Sequence, residues 1–328
     1  MRDLKHYSAA EWLQLKPFVA GFKQLRDDAV QNSFLQARTP ELEPFLRANE
    51  NLRGKNILQI IAFEQAEVLS FCIKMLARYS VDTTVLVFDN SRRPEARIEI
   101  ERVCKEHSTP YLGLPRNRTK HANRSHGSAM TWIWRNVVTR IIPATSGFLD
   151  HDLIPLEKFS PAETLGGQPF YGVPMISKFG SWSLWAGYCL YNFPAVDNLE
   201  FNFLNDFPRG LDTGGRNWNC LYKKYDRHKL KFADWRMYDV PDVDADAPRL
   251  LEIIDNRWIH FAGVSHWDDY KRHSNFYGRI SKAIDEGANW RQLRTLLGGD
   301  KIRLTSAQVI AKTTRYRYQK HSWQPNDA

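Results

Sequence analysis

Apolar runs are short throughout this sequence. No stretch approaches the ~20 residues that cross a bilayer, which excludes a helical span within these residues. The N-terminal MRDLKHYSAAEWLQ lacks the apolar core of a secretory signal, so a cytoplasmic location is expected. Cysteine is scarce: Cys72, Cys104, Cys189 and Cys220 are far apart and form no CxxC pair. That excludes a dense disulfide framework and predicts free buried thiols in a reducing compartment. The sequons at Asn117 and Asn123 then read as coincidental. Internal repeats and low-complexity tracts are also lacking.

What is present is ordinary for a globular protein: 328 residues, 43% apolar and 25% charged, enough for one large domain or two small ones. Aromatics are plentiful, with 11 Trp, 13 Tyr and 18 Phe, and serve core packing and sugar stacking equally well. The net charge of +9 attracts anions. The basic residues are spread along the chain, so nucleic acid is not expected. Nucleotide phosphates, acidic glycans and peripheral contact with the inner surface of an anionic membrane are.

Residues 1–54 read as a helical N-terminal extension with an accessory docking role. AEWLQLKPFVAGFKQL and TPELEPFLRANENL have apolar residues at three- and four-residue spacing, and Thr39-Pro40 reads as an N-cap with Pro at the first helical position. From there strands and helices alternate. NILQIIAF (56–63), TTVLVFDNS (83–91), PYLGL (110–114) and SGFLDHD (146–152) are short strands. EQAEVLSFCIKMLARYS, RPEARIEIERVCKEH and SHGSAMTWIWRNVVTRII have helical spacing. Such alternation predicts βαβ units and a mostly parallel sheet. In these sheets ligands bind beyond the carboxyl ends of the strands, and Glu64, Asp89, Asp150 and Asp152 all lie there. From about 159 the pattern loosens: a helix is expected near 213–226, a loop at 239–248, a short strand and turn in 256–267, and a helical basic tail from 270 to 328.

Asp150-His151-Asp152 places two acids and a histidine at the end of an apolar strand. Charge in such a place is costly unless it reaches solvent or holds a cation, and both readings stay open on the residues alone. Mg²⁺ or Mn²⁺ suits carboxylate oxygens. A second acidic run, Asp242-Val-Asp244-Ala-Asp246, begins like a calcium loop. Ala247 and Ile253 stand where that loop needs Gly and Glu, so it reads as a solvated loop.

Residues 56 to about 267 resemble the GT-A glycosyltransferases, most closely the large family 2 type. FEQAEVL (63–69), VLVFDNSRRPEA (85–96), NRTKHANRSHGSAM (117–130), GFLDHDLIP (147–155) and GLDTGGRNWNCLYKKYDRHKLKF (210–232) are similar to that family's successive motifs, in family order. The resemblance implies a GT-A fold: an α/β domain at 55–269 with a mostly parallel central sheet flanked by helices. It would comprise a nucleotide-sugar half (55–158) and an acceptor half (159–269). It implies a UDP- or GDP-sugar donor, Mn²⁺ or Mg²⁺, and a glycan, lipid-linked or other acceptor. Asp152 would bind the metal, Asp150 the metal and ribose, and Glu64 and Asp89 would lie near base and ribose. Asp89 also reads as a turn-forming residue. Arg116, Arg118, Lys120 and Arg124 would meet donor phosphates or an acidic acceptor, or form a solvated loop. Asp212 matches the family's catalytic base for inverting transfer; it also makes a good N-cap, and Leu211 departs from the family's Glu. His260 matches a late metal-ligating histidine, though a lone histidine also reads as a hydrogen-bonded structural residue, and His266 would contact phosphate or acceptor. Trp182 and Trp185 fit either a sugar face or a core.

Three other readings compete. Asp212-Thr213-Gly214 spells the aspartic-protease triplet, but no second copy exists to share its proton. A sugar nucleotidyltransferase uses a similar sheet, but needs a glycine-rich loop where this chain has AFEQAE. A catalytically inactive binding module of the same fold is at odds with the intact Asp150, Asp152 and Asp212.

Overall fold

The computed structural model describes residues 7–119, 121–242, 248–261 and 270–304. Lys120, Asp244, Asp246, His266 and the tail beyond 304, all named above, lie outside the described residues. The chain divides into two compact units, Met1–Ala233 and Asp234–Ala328.

The first unit opens with helices α1 (Ala9–Leu13), α2 (Lys16–Gln36) and α3 (Leu42–Ala48). Helix α3 starts two residues later than the Thr39-Pro40 signal suggests. The Thr39 hydroxyl bonds the Glu41 carboxylate, and Leu42 N–H bonds the Thr39 carbonyl at 3.2 Å, so Pro40 sits in a turn ahead of the helix.

Strand β1 (Asn56–Ala62), α4 (Ala66–Tyr79), β2 (Thr83–Asp89), α5 (Pro94–Glu106) and β3 (Tyr111–Gly113) follow in strict alternation. Helix α6 (Ala122–Ile133) runs through a π turn at Trp134–Val138 into α7 (Thr139–Ile141). The long helix expected here is therefore interrupted, and Asn136 Nδ2 bonds back to Trp132 O across the wide turn at 2.9 Å. Then come β4 (Thr145–Asp150), β5 (Leu153–Pro155), α8 (Pro161–Leu165), β6 (Phe170–Ile176) and β7 (Trp182–Asn192).

The main sheet has the order β3-β2-β1-β4-β7-β6. The first four strands are parallel; β7 runs antiparallel to both β4 and β6. This is the expected α/β architecture, a mostly parallel sheet flanked by helices. Alternation along the strands sets its two faces. Ile57, Ile61, Leu86, Phe88 and Phe148 join α3 and α6 in one apolar core. Leu58, Ile60 and Val87 point to the opposite face and are also fully buried. Trp134 fills the first core, its ring against Tyr191, Phe193, Phe201 and Phe203 at 4.4–6.1 Å.

The helix expected near 213–226 is absent; the segment forms short 3₁₀ turns at Gly215–Trp218 and Tyr222–Lys224. Its backbone is bonded elsewhere. Gly214 N–H donates to Phe203 O (2.7 Å) and Arg216 N–H to Leu204 O (3.2 Å), so these donors are spent on a neighbouring segment rather than on an i−4 ladder.

The second unit holds β8 (Trp235–Val240), β9 (Arg249–Ile254), β10 (Trp258–His260), α9 (Tyr270–Asp285), α10 (Trp290–Leu296) and β11 (Arg303–Leu304). Strands β11, β8, β9 and β10 pair antiparallel in that order. Asp255 and Asn256 both have positive φ (54° and 53°), the geometry of a tight hairpin turn that Asp and Asn tolerate. Asp242 is buried, not solvated as the sequence suggests. Its carboxylate pairs with Arg249 at 2.6 Å and Arg279 at 3.9 Å.

Candidate active site

The parallel strands of the first unit deliver their acids to one edge, as the sequence predicts. Asp150 ends β4 beside Ile61 of β1. Asp150 and Asp152 each present a carboxylate oxygen within 4.8 Å of the other. Between them, in the turn that follows β4, His151 is buried and lies 3.4 Å from Ile61 O through Nδ1. Asp152 is buried and Asp150 half-buried.

Gly187 of β7 shapes the wall beside Asp150. A Cβ at this position would overlap Asp150 Oδ2 and stand 2.6 Å from Trp185 Cη2. Only glycine leaves the carboxylate and the indole their present places. Trp185 therefore stands at the site. Trp182 does not: it is buried among Phe170, Trp218, Tyr222 and Phe232.

Asp212 is held by neutral donors. Asn123 Nδ2 reaches both of its oxygens (3.0 and 2.9 Å), and Asn205 Nδ2 reaches Oδ1 at 2.5 Å. Thr213 Oγ1 is 3.4 Å from the same oxygen. Such bonds orient a carboxylate without neutralising its charge. Asn123 lies in the first turn of α6, and His126, one turn on, has Nε2 3.7 Å from Asp150 Oδ1. Burial pulls the His126 pKa below its ordinary value. Asp150, Asp152 and Asp212 pull the other way, and His151 adds to the lowering. Burial thus outweighs the three carboxylates that act on it. Asn123, His126 and Asn205 were not singled out from the sequence. Asn123 and His126 lie in the NRTKHANRSHGSAM segment, whose arginines and lysine drew the attention instead.

Glu64 and Asp89 are engaged with the β2–α5 loop. Glu64 takes a positive φ of 61° at the end of β1, an uncommon state for a non-glycine residue. Its N–H bonds Ser91 Oγ at 2.8 Å, and its Oε1 accepts from the N–H groups of Arg92 (2.7 Å) and Arg93 (3.1 Å). Burial raises the Glu64 pKa, but those N–H groups and the Arg93 guanidinium outweigh it and hold the group below the usual carboxylate value. Asp89 is fully buried; Oδ1 accepts from Ser91 N–H (2.8 Å) and Oδ2 from Tyr111 O–H (3.1 Å). The bond to Ser91 N–H, two residues on, makes Asp89 a turn former.

Arg116 and Arg118 are exposed. Arg118 lines a cleft of about 210 Å³ together with Arg26, Asp27, Thr119 and Arg124. Arg124 bonds Asp27 of α2 at 2.6 Å, so its charge faces a partner within the unit. Both sequon asparagines are engaged: Asn117 is buried and bonded to Ser125 O at 3.0 Å, and Asn123 holds Asp212.

His260 belongs to the second unit, where the β9–β10 register sets it opposite Glu252. Nδ1 lies 2.7 Å from Glu252 Oε2, and both side chains are buried. With Glu252 ionised and the imidazole neutral, Nδ1 would donate to Glu252 and leave the lone pair on Nε2. The four cysteines are free, three of them buried. Among the described residues no helix is long and apolar enough to cross a membrane.

No protein-family model matches this sequence, and no curated protein matches it. Solved structures show likeness. One is the bifunctional glycosyltransferase WbbM in its apo form, at 12% identity and a TM-score of 0.31, covering 44% of this chain and 32% of that one. Another is the mannosyltransferase PcManGT from Pyrobaculum calidifontis, in complex with GDP-Man and Mn²⁺. It matches at 8% identity and a TM-score of 0.32, over 55% of this chain and 56% of that one. The chain thus spans about a third of the first protein's length and somewhat over half of the second's.

Proposed function

We propose that this chain is a metal-dependent glycosyltransferase of GT-A type. It moves a sugar from a UDP- or GDP-sugar donor to a glycan, lipid-linked or other acceptor, with inversion. The observation that carries this reading is the gathering of Asp150, Asp152 and an oriented Asp212 around the first turns of α6, at the carboxyl edge of a mostly parallel sheet.

The donor set suits a hard divalent cation. Two carboxylates within 4.8 Å supply oxygen ligands of the kind Mn²⁺ or Mg²⁺ takes, and Gly187 lets the Asp150 carboxylate and the Trp185 indole pack against β7. Asp150 and Asp152 would hold the ion, with His260 as the third ligand that the motif order implies. The Glu252 bond, which would leave the lone pair of a neutral imidazole on Nε2, supports this role. A bound ion would offset the charge developing on the departing nucleoside diphosphate.

The remaining chemistry falls to the chain. Asp212 takes the proton of the acceptor hydroxyl as that oxygen bonds the anomeric carbon, and the donor's C–O bond breaks toward the diphosphate. Asn123 and Asn205 aim the Asp212 carboxylate. Glu64 and Asp89 shape the nucleotide end by fixing residues 91–93, and Arg118 offers charge to donor phosphate. Trp185 offers an apolar face to the sugar.

Calorimetric titration of UDP and of GDP, with and without Mn²⁺, tests the reading on wild type, Asp152→Ala and His260→Ala. Metal-dependent binding of one nucleotide, lost in both variants, is the expected result. Binding indifferent to metal and to Asp152 would overturn the metal site. Absence of any nucleotide binding by the folded wild type would favour an inactive module of this fold.

A further inference from the structure

Helix α2 is built inside out. Its 21 residues carry apolar side chains at helical spacing, yet the face turned to the rest of the unit is mainly polar. Asp27 pairs with Arg124 at 2.6 Å, and Asp28 pairs with Arg216. Gln31 Nε2 bonds Thr131 Oγ1 at 3.2 Å, and Asn202 Nδ2 bonds Gln31 Oε1 at 2.9 Å. These partners fix which side of the helix looks inward.

The opposite side is apolar and open. Phe18, Phe22 and Leu25 are 65%, 72% and 69% exposed, and Leu13 of α1 is 87% exposed. Among the described residues nothing covers them. Trp12 of α1 packs edge-on against Phe18 at 6.0 Å and continues the patch. The charged residues between 12 and 26 are Lys16, Lys23 and Arg26, with no acid among them. The nearest acids of α2 are paired: Asp27 with Arg124 at 2.6 Å and with Arg26 at 3.3 Å, and Asp28 with Arg216.

An apolar stripe whose exposed flanking charges are cations, the one acid of α1, Glu11, being mostly covered and paired with Lys178 at 3.7 Å, fits one environment best. A second copy of this chain would set like charges against one another, whereas an anionic lipid surface takes the rings into its acyl boundary and the cations at its headgroups. We propose that α1 and α2 form an interfacial docking surface that seats the first unit on an anionic membrane, with α2 lying in the headgroup plane. The polar contacts to Arg124, Arg216, Thr131 and Asn202 hold the helix to the protein while its outer face enters the lipid. The surface is independent of the sugar-transfer reading.

Flotation with vesicles tests it on the full chain, using phosphatidylcholine alone and phosphatidylcholine with phosphatidylglycerol, at low and high salt. Wild type should float with the anionic vesicles and be released by salt. Phe18→Ser/Phe22→Ser/Leu25→Ser should weaken partitioning by more than about tenfold. Lys16→Gln/Lys23→Gln/Arg26→Gln should weaken it by about a hundredfold, since each cation contributes roughly fivefold at such a surface. Phe18, Phe22, Leu25, Lys16 and Lys23 face solvent, and Asp27 keeps Arg124 when Arg26 is replaced, so the serine variant should melt like wild type and the glutamine variant close to it, which shows that both are folded. Equal flotation of wild type and the serine variant would overturn the proposal. So would absence of wild-type flotation accompanied by a concentration-dependent dimer that the serine variant dissolves, which would assign the face to a second copy.

Discussion

Gly187→Ala is a one-carbon test of the candidate site. The new Cβ would stand 2.6 Å from Trp185 Cη2, where ordinary contact begins at about 3.4 Å, and would overlap Asp150 Oδ2. Both obstacles are side chains, so the strand can keep its pairing while indole and carboxylate retreat by about 1 Å. Overpacking of this kind costs about 1–3 kcal/mol of stability. Displacing a positioned group by about 1 Å can cost on the order of a hundredfold in rate. The variant should therefore fold, melt somewhat lower, and lose both Mn²⁺-dependent nucleotide affinity and turnover. Gly21→Ala supplies the control: no neighbouring atom lies within 4 Å of its Cβ, and alanine in a helix is favoured by roughly 0.5–1 kcal/mol. Thermal melts, metal titration and single-turnover transfer read the two side by side. A Gly187→Ala protein indistinguishable from wild type in melting and metal affinity would refute the packing argument for this wall.

Further outcomes follow from the same geometry. Asp212→Asn should lower transfer by about 10²–10⁴-fold while leaving nucleotide titration unchanged; an unchanged single-turnover rate would remove Asp212 as base. Glu64→Gln should destabilise near neutral pH and matter less in acid. The folded pKa of Glu64 lies below its unfolded value, so its contribution is present above the unfolded pKa of about 4.3 and fades as pH falls through the folded one. A difference in Tm that stays constant from pH 7 to pH 3 would contradict this. Thiol reagents should reach Cys220 first in the native protein and all four cysteines only after unfolding. Burial pushes the Cys104 and Cys189 thiols up to about 12, and Cys72 is raised as well. Rapid native labelling of a second cysteine would show that core to be open.

Much of the first unit was legible because its signals are local. Short apolar runs fixed β1, β2 and β4, and chain direction then placed Glu64, Asp89, Asp150 and Asp152 at one edge of the sheet. What each acid does was not legible, since that depends on donors far away in sequence. Asp89 spends its oxygens on Ser91 and Tyr111, and Glu64 on the 92–93 backbone. Asp212 takes its orientation from Asn123, 89 residues earlier. The expected helix at 213–226 failed for the same reason: its N–H groups found partners at 203–204, which no periodicity reveals.

Helix α2 separates the two kinds of information most cleanly. Spacing of apolar residues marked 10–25 as helical, because backbone hydrogen bonding and side-chain period are properties of the segment itself; the break at Leu15 and the run on to Gln36 came from the structure. Spacing did not determine which face would be buried. That was decided by Arg124, Arg216, Thr131 and Asn202, which draw Asp27, Asp28 and Gln31 inward. A buried charge must meet its partner, so the polar stripe was pulled in and the apolar one left outside.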